Sequence, residues 1–331
     1  MATIGNEDLT LLDWAKRLDP DGKTASIVEI LAQTNAILED MSWLEGNLPT
    51  GHRTTVRTGL PQAAWRKLNQ GVPKSKSRTA QIDEATGMLE AYSEVDVDLA
   101  KLNGNTAAFR FSESTAFMEG MSQQMAETLF YGNNIGGAEF VGLAPRFATA
   151  APAASPNAVN VIDGGGTGSD NASIWLCVWG PQTVHGIFPK GSMAGLQHRD
   201  LGEDTVSDAD GNQFQAYRDH YQWKAGIALR DWRYVVRIAN VDVSDLSTGS
   251  AADLITLMIK AIHRVPNLRA GRPCFYANRT ISQYLDIQAL NKANVQLSMR
   301  EYEGHFITSF RGIPIKTVDR LIDTEAQVPV A

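Results

Sequence analysis

WRKLNQGVPKSKSRTAQIDEATGMLEAYSEVDVDL, residues 65–99, sorts its charges: the first half carries only basic side chains and the second half only acidic ones. From His52 to Arg78 there are seven Lys/Arg (Arg53, Arg57, Arg66, Lys67, Lys74, Lys76 and Arg78) and no acid. From Thr79 to Ala100 there are six acids (Asp83, Glu84, Glu90, Glu94, Asp96 and Asp98) and no Lys or Arg. HRTTVRTG, upstream, is rich in Thr, Val and Arg and reads as a strand. MLEAYSEVDVDLAKL alternates and reads as another. Between them, NQGVPKSKSRTAQIDEATG has almost no large apolar side chain. Residues 51–103 are therefore expected to form a long two-stranded hairpin whose basic and acidic arms pair across it. An exposed pair of that kind is typically worth about 0.2–1 kcal/mol.

Such pairing does not explain what keeps the hairpin ordered, because a lone two-stranded ribbon in water is marginal. Its apolar residues (Val56, Leu60, Trp65, Leu68, Val72, Ile82, Leu89, Tyr92, Val95, Val97) are too few and too spread to close a core. Either the hairpin is disordered or it lies on another surface, and its length carries it beyond a compact domain. The expected partner is a neighbouring copy of the same chain, where one basic stripe meets an acidic stripe next door. Weak contacts repeated in a closed assembly add up through multivalency. The charged residues named above are the candidate inter-subunit contacts, with Ile27, Ile30 and Leu31 of the N-terminal arm.

The remaining sequence is that of an ordinary globular protein: 331 residues, 43% hydrophobic, 20% charged. A net charge of −7 repels phosphate and argues against nucleic-acid binding over a broad basic face. No secretory signal opens the chain, and no apolar run is long enough to span a membrane. Cys177 and Cys274 sit in apolar strand-like runs and read as buried free thiols. A helix is expected over residues 26–44, with Ser26 as N-cap and Gly46 and Pro49 ending it. Leu9 to Leu18 is a shorter amphipathic stretch. FRFSESTAFMEGMSQQMAETLFY, 109–131, returns to helical spacing with Gly132 at its end. Strand-like runs then dominate, joined by helices at 251–264 and over TISQYLDIQALNK. The order is mixed without βαβ repetition, which argues for the α+β class.

No motif supports catalysis. GGGTG (164–168) lacks the strand–turn–helix context of a phosphate loop and reads as a flexible connection. DADGN (208–212) has its glycine in the wrong place for a calcium loop and reads as a hairpin turn. The six histidines are scattered, none at metal-ligand spacing, and there is no GxSxG. Neither an enzymatic activity nor a cofactor nor a metal is expected. Aromatic and basic residues mix in YRDHYQWK and RDWRYVVR, but the interleaved Asp219 and Asp231 fit a half-buried strand better than a nucleic-acid platform.

The order of arm, charged hairpin, long helix and mixed body resembles the major capsid proteins of tailed bacteriophages, the Hong Kong 97-type fold. FYGNNIGGAEFVGLAPRF is similar to a run found there in many members, carried here by Tyr131, Gly132, Asn133, Phe140, Gly142, Leu143 and Arg146. LRDWRYVVRIANVDV is similar to another recurrent strand of short-tailed phage capsid proteins, and the chain as a whole resembles those of Bordetella-type podophages. The resemblance covers nearly the full length. It implies an N-terminal arm (1–50), an extended E loop (51–103), a peripheral domain with a spine helix (104–150), an axial domain (151–300) and strands returning to the peripheral domain (301–331). It also implies self-assembly into hexamers and pentamers of an icosahedral head around double-stranded DNA, which is met only by non-specific proximity. Location in the virion, and in the host cytoplasm during assembly, follows. Expected partners are other copies, a portal and a separate scaffolding protein, since only about 25 residues precede the first strong helix. A decoration protein is a further option, and no membrane is involved. Some members cross-link a hairpin lysine; Lys67, Lys74 and Lys76 occupy that region but are ordinary for a solvated loop, and no cross-link is expected. The alternatives are an encapsulin-type nanocompartment shell, which shares the fold, and an α+β enzyme.

Overall fold

Nine consecutive residues, Asn171–Trp179, are all buried, and they organise the body of the protein. A computed structural model describes residues 33–102, 106–134, 136–207, 211–247, 252–291, 297–302 and 305–330. Its strands are β1 (Trp43–Glu45), β2 (Gly51–Gly59), β3 (Arg78–Ala85), β4 (Gly87–Asp96), β5 (Val161–Asp163), β6 (Asn171–Trp179), β7 (Val184–Phe188), β8 (Leu196–Ser207), β9 (Gln213–Leu229), β10 (Val235–Asp242), β11 (Arg272–Ala277), β12 (Leu297–Tyr302), β13 (His305–Phe310) and β14 (Ile313–Thr317). Its α-helices are α1 (Ile37–Asp40), α2 (Val97–Lys101), α3 (Thr106–Tyr131), α4 (Leu143–Arg146), α5 (Leu254–Arg264) and α6 (Arg279–Asn291). The class is α+β, as the sequence predicts.

All described strands except β2 and β3 join one mixed sheet, in which β6 lies between β11 and β10. Side chains alternate across a strand, and β6 sorts them into two cores. Ile174, Leu176 and Val178 pack with Leu254, Met258 and Ile262 of α5 and Ile281 and Leu285 of α6. Trp175, Cys177 and Trp179 pack with Met125, Leu129 and Phe130 of α3. The sheet is thus covered on both faces, which is why β6 reads as an unbroken apolar run. Cys177 and Cys274 stand opposite each other on β6 and β11 as buried free thiols, and burial pushes both thiols up.

One buried ion pair locks the C-terminal segment to this frame. Arg237 of β10 donates to Glu325 at 2.8 Å, to Ser173 Oγ and to the Phe147 carbonyl, and stacks over Trp175. Tyr131, the last residue of α3, donates to the other Glu325 oxygen at 2.6 Å. Burial, with that carboxylate beside it, raises the Tyr131 hydroxyl far above its ordinary pKa.

Several expectations are corrected. Of the helix expected over 26–44, the described part is helical only over Ile37–Asp40, and Trp43–Glu45 is a strand parallel to β7. The part at 26–32, and the stretch Leu9 to Leu18, lie outside the described residues. The strand expected through Leu102 stops at Asp96, whose carboxylate accepts from the Asp98 and Leu99 amides and caps α2. Val97, Leu99 and Ala100 are buried there, so alternation gives way to a helical face. The glycine run is pinned: Gly164 and Gly166 donate to the carbonyls of Ala239 and Asn240 at 2.8 Å, and a Cβ at either would collide with that strand. The long helix starts at Thr106 and ends at Tyr131, close to the span its spacing predicts. β8 and β9 pair from Leu196↔Trp223 to Ser207↔Gln213, as a turn at 208–212 requires, although 208–210 lie outside the described residues.

Candidate functional site

The charge-sorted segment divides between two places. β2 and β3 form a separate two-stranded ribbon, in register from Gly51↔Ala85 to Gly59↔Arg78. β4, expected as part of the second arm, instead pairs with β9 in the main sheet, from Gly87↔Ala225 to Asp96↔Ala216. The projecting hairpin is therefore 51–85, shorter than the 51–103 expected. A nine-residue strand still carries the chain about 30 Å.

This division sorts the acids. Asp83 lies directly opposite Arg53 and accepts two hydrogen bonds from it at 2.6 Å, an exposed pair across the ribbon. Arg53 holds Asp83 below the usual carboxylate range. The other acids of the segment lie at the body. Glu84 is buried and held by Arg146; Glu94 pairs with Arg218 at 2.9 Å. Glu90 accepts from Gln222 and faces His220, and Asp96 caps α2. Asp98 is exposed on α2. Arg57, Arg66, Lys67, Lys74, Lys76 and Arg78 are all exposed, with no acidic partner among the described residues. The hairpin thus presents six cations unpaired by any described residue. Ile27, Ile30 and Leu31 lie outside the described residues.

Between β2 and β3, residues 60–77 form an irregular tip. Ser75 Oγ donates to the Gln62 carbonyl, and Asn69 takes a positive φ of 63° in a turn. Leu60, Trp65, Leu68 and Val72 are 77%, 105%, 89% and 54% exposed. Four large apolar side chains among six cations form a surface that the described chain leaves uncovered. Burying one such side chain fully is worth about 1.5–3 kcal/mol, so a partner surface has much to gain.

The root is built differently. Arg146 donates to both Glu84 oxygens, at 2.6 and 2.7 Å, and to the carbonyls of Val141 and Gly142. Arg146 ends the FVGLAPR run noted in the sequence, and this contact explains its arginine. Gly132 and Gly142 pass close to one another, with Gly142 N donating to the Gly132 carbonyl at 2.7 Å. A Cβ at Gly142 would lie 2.6 Å from the Thr128 carbonyl oxygen. Phe140 and Leu143 are buried in the core that α3 lines. The run thus ties the end of α3 to the hairpin root, while Tyr131 ties it to the C-terminal segment. Gly132 serves by allowing close approach, not by a left-handed backbone.

On the other strand of the root, His52 is buried against His185 of β7, ring centroids 5.9 Å apart, and Arg230 lies 2.9 Å from His52 Nε2. Burial, helped by Arg230, pushes His52 down and His185 to about 4. Sequence reasoning misses His52, His185 and Arg230 as parts of the site, and it meets Arg146 only as the end of a run. Both histidines sit in strand-like runs, and nothing nearby in the chain signals their partners. No group of three metal-ligating side chains occurs among the described residues.

A mixed sheet covered on both faces, a long helix along one of them and a projecting ribbon are the elements of the Hong Kong 97-type capsid fold. A chain in the structure of bacteriophage epsilon15 is 38% identical, is matched over 100% of both chains and superposes with a TM-score of 0.81. The capsid of bacteriophage JBD30 shares the fold, at 9% identity and a TM-score of 0.50 over 92% of this chain and 99% of that one. An encapsulin from Synechococcus elongatus is more remote, at 11% identity and a TM-score of 0.42 over 70% and 96%. Among curated proteins none matches in sequence. The model of the major capsid protein GP7 family matches residues 19–329. The chain belongs to this family and is a phage major capsid protein of the virion shell.

Proposed function

We propose that the hairpin 51–85 is the strap by which each copy holds the next in hexamers and pentamers of an icosahedral head enclosing double-stranded DNA. The role is structural and not catalytic. The observation that carries this reading is the tip: Leu60, Trp65, Leu68 and Val72 are exposed among six cations without a described partner, at the end of a ribbon about 30 Å long. The root lies against its own body, so a tip at that reach meets a second copy. Such a contact joins unlike surfaces, and unlike surfaces close into rings when the rotation permits. In this reading residues 1–50 are the arm, 104–150 the peripheral domain built on α3, 151–300 the axial domain, and 301–331 the returning strands. A portal, a separate scaffolding protein and a decoration protein are the further partners, and packaged DNA is met without a dedicated site.

The test is electron microscopy of the protein expressed alone and with a candidate scaffolding protein. Shells are expected, and replacing Leu60 to Ser77 by a short Gly-Ser turn abolishes them while leaving a folded, soluble body. Normal shells from that variant would sink the role given to the hairpin.

A further inference from the structure

Only two side chains of β2 and β3 are buried, His52 and Glu84, and the register sets them directly opposite each other. Opposed residues point to the same face of a ribbon, so both reach the body. Each does so through one arginine: Glu84 through Arg146, at 2.6 and 2.7 Å, and His52 through Arg230, at 2.9 Å. A guanidinium can only donate, so His52 Nε2 must accept, and the ring must be neutral with its proton on Nδ1. That Nδ1 is buried without a partner among the described residues. Beside it His185 is fully buried, and neither ring nitrogen makes a well-formed hydrogen bond to a described residue. The Gly180 carbonyl nearby favours a proton on His185, but burial outweighs it.

The charges facing this cluster are few. β2 contributes His52, β3 Glu84, β7 His185, the segment after β9 Arg230, and α4 Arg146. A proton on His52 removes its acceptor and sets a cation against Arg230. A proton on His185 adds a second cation to the same enclosure. The Glu84 carboxylate favours a proton on His52, but burial and Arg230 outweigh it.

We propose that His52–Arg230, backed by His185, is the proton-operated half of a latch completed by Glu84–Arg146, which acid loosens to free the root of the hairpin from a body that stays folded. At neutral pH the imidazoles are uncharged and the latch is closed. Burial holds His185 near 4, whereas a solvated imidazole, such as opening would make it, takes its proton near 6.5. Falling pH therefore favours the open state progressively from about 6.5 down to about 4, and the gain levels off below that. His185 alone shifts the open-to-closed ratio by roughly 50- to 100-fold between neutral pH and pH 4.5. The consequence for a shell, a changed hairpin angle, rests on the strap reading above; the latch itself is a property of the single subunit.

The experiment uses pulsed electron resonance distances in the unassembled, full-length protein. Spin labels at Thr55→Cys and Lys260→Cys span hairpin and body; labels at Gln182→Cys and Lys260→Cys span the body alone. All three positions are exposed, whereas the native thiols are buried and escape labelling. From pH 7.5 to pH 4.5 the hairpin distance should broaden or shift, its open fraction rising tenfold or more, while the body distance holds. His52→Gln with His185→Leu should flatten the response, and His52→Gln alone, which keeps an acceptor for Arg230, should halve it or better. A hairpin distance indifferent to pH, an undiminished response in the double variant, or a body distance that broadens in step would each overturn the latch. Shell formation is scored separately, so a latch that works in a protein forming no shells would count against the strap and not the latch.

Discussion

Removing Glu325 should cost the body far more than removing it together with its partner. In Glu325→Ala the Arg237 guanidinium stays on a central strand, 5% exposed, with only Ser173, the Phe147 carbonyl and the Trp175 ring to face. An uncompensated buried charge of this kind costs about 3–5 kcal/mol. At about 2.1 cal/mol/K per residue, 331 residues unfolding as one unit carry about 0.7 kcal/mol/K, so Tm should fall by roughly 4–7 °C. Tyr131 also loses its acceptor, which deepens the loss. Arg237→Met with Glu325→Met replaces the pair by apolar side chains of similar length. It should recover at least half of that drop, because the desolvation cost disappears along with the attraction. The assay is thermal unfolding of the unassembled subunit followed by circular dichroism. A single variant within about 1 °C of the parent, or a double variant worse than the single, would refute the reasoning.

Three further outcomes are expected. Trp65→Ala with Leu68→Ala should leave the subunit's stability to denaturant within about 0.5 kcal/mol, because both side chains are solvated there, yet sharply reduce shell yield; a destabilised subunit would mean that the tip packs on its own body. Reversing Lys74, Lys76 and Arg78 to Glu should weaken assembly, as read by light scattering, more at low salt than at high salt, since exposed charges are screened over about 10 Å at 0.1 M; a defect of equal size at both would remove the electrostatic part of the contact. Gly142→Ala should destabilise the subunit by about 1–3 kcal/mol in denaturant unfolding, because the new Cβ meets backbone of α3 that cannot give way; a neutral effect would contradict the close approach.

Local pattern makes most of the body legible. The periodicity over 109–131 marks α3, and SIWLCVWG and RPCFYAN mark β6 and β11, because burial on one or both faces leaves a signature within a few residues. Alternation also marks β4 as a strand, but it carries no information about which strand lies alongside. Opposite charge points to the upstream basic arm as its partner, whereas the sheet pairs it with β9, far along the chain. The same blindness hides the hairpin root. His52 meets His185 and Arg230, and Glu84 meets Arg146, only after the chain has folded. The helix expected over 26–44 does not continue past Asp40 because Trp43–Glu45 gains more by extending the sheet beside β7 than by adding a helical turn. GGGTG reads as a flexible connection because glycines that allow close packing look, in sequence, like glycines that allow motion.

A cryo-electron microscopy reconstruction of assembled particles, at a resolution that shows side chains, tests most directly whether a sibling molecule covers the hairpin tip. Trp65 and Leu68 of each copy should then lie against the surface of an adjacent copy and be shielded from solvent. Particles in which those side chains fold back onto their own body, or stand in solvent touching no neighbour, would contradict the strap.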